Sequence, residues 1–254
     1  MPEQAMTEYL ETAQGRRIAY ARQPGAGPGV VFLGGFKSDM RGTKAEHLAD
    51  WAAANGRAYL RLDYSGHGES GGAFEDGAIG DWAEDAMAAI TGLTAGPQVL
   101  VGSSMGGWIA LLVAREMPAR VAGLVGIAAA PDFTENGFWS GFTEEQRATL
   151  MDAGRVALPS EYDDAPYVIT RRLIEDGRNR LVLDRPLALP FPVRLLQGTA
   201  DADVPVDWAM RLLDHPESPD LRLTLVKGAD HRFSTPDCLS LIETAITEVL
   251  RGRT

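Results

Sequence analysis

Val99-Leu100-Val101-Gly102-Ser103-Ser104-Met105-Gly106-Gly107 reads as a buried strand running into a tight turn and then a helix. The turn has the form G-x-S-x-G around Ser104. Small residues two places before and after the serine let neighbouring backbone pass close to a turn that is strained at the serine itself. The hydroxyl then stands at the carboxyl end of the sheet. The following helix adds backbone N–H groups and a positive dipole end at the same point. Glycine and serine are common, and a Gly/Ser-rich turn with no chemistry would spell the same letters. Placement singles out Ser104, which alone has glycine at both offsets, whereas Ser103 reads as a packing or loop residue.

Outward from this turn, strands and helices alternate. Residues 8–13 and 17–22 flank a Gln14-Gly15 turn and read as a hairpin. Residues 25–29 form a Gly/Pro turn, and 30–33 a short apolar strand of the kind buried on both faces. Residues 43–55 have helical spacing and end at Gly56. Strands follow at 58–62, 98–101 and 121–128, with helices at 78–93 and 105–117. The alternation resumes with strands at 193–196 and 221–226 and helices at 207–213 and 239–250. This order predicts an α/β fold, a mostly parallel eight-stranded sheet with helices on both faces. Between 132 and 192 the pattern breaks. Helical pieces near 144–152 and 167–175 but no convincing strand predict a small helical cap, residues 132–191, inserted into a core of residues 1–131 and 192–254.

A serine nucleophile needs a base, and in this kind of sheet the chain order is Ser, then Asp or Glu, then His. The chain has four histidines. His47 and His67 precede Ser104, and His215 lies in a turn before Pro216. His231 has the order and a loop after the last strand, so it is the expected base. The carboxylate should follow the preceding strand, where Asp201 and Asp203 both qualify. The oxyanion of an acyl intermediate needs two donors. Met105 N–H, next to the nucleophile, and Phe36 N–H, after the Gly34-Gly35 strand end, are the candidates.

Composition narrows the setting. The chain has 254 residues, 45% of them apolar, enough for one large domain with a sizeable core. Its net charge is -11, which argues against nucleic-acid binding and adhesion to anionic membranes. One cysteine, Cys238, cannot form an internal disulfide, and residues 1–10 lack the basic and apolar regions of a secretory signal. A cytoplasmic protein without membrane insertion is expected. No clustered His/Cys spacing suggests a metal, and no cofactor is required.

From the strand near residue 30 to the last helix the chain resembles the α/β-hydrolases. Within them it is similar to the family of the mitochondrial acyl-protein thioesterase and acyl-glucuronide esterase, with its bacterial relatives. The segments that carry this are Gly42-Thr43-Lys44-Ala45, Asp63-Tyr64-Ser65-Gly66, Val101-Gly102-Ser103-Ser104-Met105-Gly106-Gly107-Trp108, Pro159-Ser160-Glu161-Tyr162, Arg194-Leu195-Leu196-Gln197-Gly198 and Asp230-His231-Arg232. The resemblance implies a Ser104-Asp201-His231 triad, favouring Asp201 over Asp203. It departs at Gly34-Gly35, where many hydrolases of this fold carry His-Gly, and matches least in the cap.

The expected activity is hydrolysis of carboxylic esters or thioesters, on a small-molecule or acylated substrate, through an acyl-serine. A peptidase or C–C bond hydrolase would use the same triad. A non-catalytic hydrolase-like binding protein is the alternative from another class, although no triad member is missing. Trp108, Phe138 and Trp139 are candidate pocket residues, with core packing the stronger reading for Trp108. Arg171, Arg172, Arg178 and Arg180 could form a carboxylate-binding fork, but helix salt bridges with Glu175 and Asp176 are favoured. Lys44, near the oxyanion loop, reads as either a site residue or a tie to a backbone carbonyl.

Overall fold

The structure, a computed structural model, describes residues 6–158 and 166–251. Its strands are β1 (Glu8–Glu11), β2 (Arg17–Gln23), β3 (Ala26–Leu33), β4 (Arg57–Leu62), β5 (Gln98–Ser103), β6 (Val121–Ile127), β7 (Arg155–Leu158), β8 (Tyr167–Thr170), β9 (Val193–Gly198) and β10 (Leu221–Val226). The main sheet has eight strands in the order β1-β2-β4-β3-β5-β6-β9-β10. Pairing is antiparallel at β1/β2 and β2/β4 and parallel at the rest. The central strands β5 and β6 are buried at every residue, which explains their unbroken apolar runs. The edge strand β10 alternates between half-buried and exposed residues over most of its length.

The helices are α1 (Thr43–Ala54), α2 (Ile79–Leu93), α3 (Met105–Glu116), α4 (Glu144–Ala153), α5 (Arg171–Arg178), α6 (Val206–Asp214) and α7 (Pro236–Arg251). On one face, α1 and α7 bury Ala45, Leu48 and Ala52 with Ile242, Ile246 and Val249. Each large aliphatic side chain there contributes about 1.5–3 kcal/mol. On the other face, α2 and α3 form a second layer around Trp82, Ile90, Trp108 and Ile109.

The insert between β6 and β9 corrects the all-helical expectation. Besides α4 and α5 it holds an antiparallel hairpin, β7 with β8, which buries Val156 and Ile169. Residues 167–170, read above as the start of a helix, are extended, and α5 begins only at Arg171. The β-branched run Val168-Ile169-Thr170 was the available signal. The segment Pro159-Ser160-Glu161-Tyr162 lies outside the described residues.

Asp132, buried and at φ 60°, closes the neck of this insert. Its carboxylate accepts hydrogen bonds from the N–H groups of Val182 (2.9 Å) and Leu183 (3.0 Å). Farther out, the cap docks on the N-terminus of α2. Asp176 accepts from Gly80 N–H at 2.7 Å, and Arg172 pairs with Asp81 at 2.6 Å. A carboxylate on orphan N–H groups suits the positive end of that helix. No helix among the described residues is long and apolar enough to cross a membrane.

Candidate active site

Ser104 sits between β5 and α3 with φ 54° and ψ -119°, a conformation costly for any residue with a side chain. The surroundings hold it there. Ser104 N–H donates to Ile127 O (2.9 Å), and its carbonyl accepts from Gly107 N–H (2.9 Å) and Ala130 N–H (3.1 Å). Glycine is required on both sides. A Cβ on Gly102 would collide with the backbone of Gly106, and one on Gly106 with the Leu33 carbonyl.

His231 and Asp201 come to this serine from loops after β10 and β9. Ser104 Oγ–H donates to His231 Nε2 at 3.1 Å, with the neutral tautomer that carries its proton on Nδ1. His231 Nδ1–H donates to Asp201, at 3.0 Å to Oδ1 and 2.9 Å to Oδ2. Asp201 Oδ1 also accepts from the N–H groups of Asp203 (3.0 Å) and Val204 (2.8 Å), and Oδ2 from Gln197 Nε2 (2.9 Å). Burial pushes this carboxyl up, but the bonds from His231, Val204 N–H and Gln197 outweigh it and hold it below the usual range. Asp203 is exposed, and its own N–H serves Asp201. The geometry therefore seats Asp201, not Asp203, behind the imidazole. One ligand atom each of Asp201, Asp203 and His231 lies within 4.8 Å of the others, and Asp201 and the imidazole are hydrogen-bonded to each other.

Met105 begins α3, where its N–H has no partner within the helix. The loop after β3 forms a turn closed by Ser38 N–H donating to Gly35 O (3.1 Å), with Lys37 at φ 56°. Phe36 N–H is not consumed by that bond. Both residues line the cavity that holds Ser104 and His231, whose volume is about 580 Å³.

The cavity wall is aromatic. The ring of Phe36 meets Phe133, Phe138 and Tyr167 edge to face, with centroids 5.6, 5.8 and 5.9 Å away. Phe74 and Trp82 back it from the other side. Behind them lies His67, buried against Tyr64, Phe74 and Trp82, its Nδ1–H donating to Ser65 O at 3.2 Å. Burial, aided by the Lys37 charge, pushes this imidazole down to about 4, so it stays neutral.

Among the expected pocket residues, Phe138 lines the cavity, whereas Trp108 and Trp139 do not. Trp108 lies one turn down α3, beneath Phe133, with Nε1–H donating to Arg180 O at 3.3 Å. Trp139 follows Phe138 in a wide-turned π-helix, Thr134–Trp139, and points away, under the guanidinium groups of Arg147 and Arg178. Phe133, Tyr167 and Trp208 line the cavity without having been singled out from the sequence. Among the described residues, no cap arginine lines it. Arg171 pairs with Glu175, Arg172 with Asp81, Arg178 with Glu135 and Arg180 with Asp176. Lys44 borders the cavity and donates its Nζ–H to the Arg232 carbonyl, directly after His231. Burial lowers its ammonium to about 8, against the opposing pull of Asp230.

Comparison with known proteins adds the following. A protein family described as serine aminopeptidase, S33, matches residues 29–166. The rat mitochondrial palmitoyl-protein thioesterase ABHD10 is 34% identical over 243 residues, spanning 95% of this chain and 82% of that protein. A hydrolase from Agrobacterium vitis S4 superimposes with a TM-score of 0.94 at 41% identity, covering 98% of this chain and all of the other, 100%. The mouse α/β hydrolase domain-containing protein 10 superimposes with a TM-score of 0.91 at 31% identity and covers 98% of this chain.

Proposed function

This chain belongs to the α/β-hydrolase superfamily, with a family match over residues 29–166 and ABHD10 thioesterases among its relatives, and from that premise we propose how it works. It is a serine hydrolase of carboxylic esters or thioesters. Ser104 Oγ attacks the acyl carbonyl while His231 Nε2 takes its proton. Asp201 keeps the imidazole in the required tautomer and steadies the imidazolium. Phe36 and Met105 N–H groups receive the oxyanion. The imidazolium then protonates the leaving oxygen or sulfur, and a water releases the acyl group by the reverse relay.

The observation that carries this reading is the unbroken line Asp201–His231–Ser104, at 2.9 and 3.1 Å, on the floor of an aromatic cavity. His231 must face the leaving group, so the residues beside it, Arg232, Lys44 and Asp203, border that side. Phe36, Phe133, Phe138 and Tyr167 supply the apolar surface for the acyl chain. An acylated small molecule or peptide fits this division. For an aminopeptidase the same rim is mixed, since Lys37, Lys44 and Arg232 oppose a substrate ammonium while Asp203 attracts it. The single buried thiol, Cys238, supports a reducing compartment, with the cytosol as the sequence-based assignment, while the ABHD10 relatives are named as mitochondrial.

The test is fluorophosphonate labelling with a substrate panel of p-nitrophenyl esters, S-acyl peptides, acyl-CoA and acyl glucuronides. Wild type should label, Ser104→Ala should not, and esters or thioesters should turn over. Equal labelling of Ser104→Ala removes Ser104 from the mechanism. Labelling with peptide substrates alone turned over shifts the reading to a peptidase.

A further inference from the structure

We propose that the hydroxyl of Ser38 is a third donor of the oxyanion hole, acting beside the N–H groups of Phe36 and Met105. This rests on Ser104 being the nucleophile. Ser38 ends the turn that displays Phe36, and Lys37 in the left-handed region folds the chain back so that Ser38 returns over Gly35. A Cβ built on Gly35 would lie 3.3 Å from Ser38 Oγ and 3.4 Å from Ser104 Cβ. A side chain at Gly35 would therefore touch both the Ser38 hydroxyl and the Ser104 side chain. Both serines line the same cavity.

The Ser38 N–H is spent on closing the turn, whereas its hydroxyl takes part in no hydrogen bond among the described residues. An exposed serine hydroxyl that meets no protein group bonds to water, which a developing oxyanion can replace. This one is left as a rotor with a proton to offer. In the attack, the Ser104 Oγ–carbon bond forms, the carbonyl π pair moves onto oxygen and the Ser104 proton passes to His231. Ser38 keeps its own proton and shares it as an O–H···O⁻ bond, which strengthens as charge develops. Such a donor stabilises the transition state more than the bound ester, so its loss falls on kcat rather than KM.

The experiment compares wild type, Ser38→Ala and Ser38→Thr on one p-nitrophenyl ester, with fluorophosphonate labelling rates alongside. Ser38→Ala should lower kcat about a hundredfold, the low end for losing one oxyanion donor, with little change in KM. Its labelling should slow in parallel, since the phosphonyl oxygen occupies the same hole. Ser38→Thr, which keeps a hydroxyl, should retain most of the turnover. Ser38 is exposed and bonds only through its backbone, so thermal unfolding should not move. A kcat loss in Ser38→Ala smaller than about tenfold, a change confined to KM, or equal losses in both variants overturns the assignment. A wild type that does not label fails the Ser104 reading instead, so the two failures are separable.

Discussion

The core and the cap of this molecule share an apolar layer but are built differently. The core is a hydrogen-bonded sheet between two apolar layers, and Ser104, Asp201 and His231 all stand on its loops. The cap continues the apolar layer over α2 and α3 through Phe133, Ile169, Leu173 and Ile174, and polar ties fix it at points. Asp132 grips Val182 and Leu183, Asp176 receives Gly80 N–H, Arg172 meets Asp81, and Arg115 and Trp108 donate to the carbonyls of Leu181 and Arg180. Phe133, Phe138 and Tyr167 of the cap face the nucleophile but hold no proton that the reaction needs. On the mechanism proposed above, bond breaking belongs to the core and the choice of acyl group to the cap.

This division can be broken by experiment. The largest effect is expected at Asp201. Asp201→Asn should lower kcat by about 10⁴, whereas Asp203→Asn should leave turnover near wild type. Stopped assays of both variants decide it, and the reverse pattern transfers the acid to Asp203.

The next effect is on stability and belongs to His67. Its native imidazole titrates near 4 rather than its ordinary 6.5. Between those values the unfolded chain takes up a proton that the native state does not. Its contribution to stability is complete above 6.5 and is lost as pH falls towards 4, by about 3 kcal/mol at most. In His67→Phe, denaturation midpoints should fall less between pH 7 and pH 5 than in wild type. An unchanged pH dependence removes His67 as its source.

A smaller effect should come from the cap. Phe138→Ala should cut kcat/KM for long-chain p-nitrophenyl esters by about tenfold, roughly the loss of half a buried phenyl group. Acetate hydrolysis should hold, and Trp139→Ala should shift neither. Equal losses on acetate and long esters would place Phe138 in the chemistry instead. The smallest effect is expected at Arg172, half exposed against a partly buried Asp81. Arg172→Ala should cost less than about 1 kcal/mol. A calorimetric Tm drop beyond about 4 °C would make this pair more than a surface tie.

The same contrast explains what could be read from sequence. In the core, buried strands are unbroken apolar runs and the order Ser, Asp, His maps onto strand ends, so the three residues that the fold brings into one hydrogen-bonded line could be nominated from sequence. The choice between Asp201 and Asp203 depended on backbone direction. Asp203 spends its own N–H on Asp201, a fact two residues of spacing cannot convey. For Trp108 core packing is already the stronger reading from sequence, since a shared helical side says nothing about depth, and four residues carry it about 6 Å along the helix from the serine. In the cap, Phe138 and Trp139 are adjacent letters that a π-helix sends to opposite environments. The β7–β8 hairpin has four residues per strand, too few for periodicity to register. Gln197 was visible only as part of a matching segment. Its role, bracing Asp201 and the Val204 carbonyl, emerges when the loop folds back on the strand.

Asp132 has one more consequence. By gathering Val182 and Leu183, it brings the way into the cap and the way out to a single carboxylate. Between those points the chain travels about fifty residues and returns to where it left. A detour closed at its base is an exchangeable part, provided its replacement again covers Trp108 and Phe36. A different loop ending on the same aspartate could be grafted here, and the machinery beneath would meet a new substrate without itself being rebuilt.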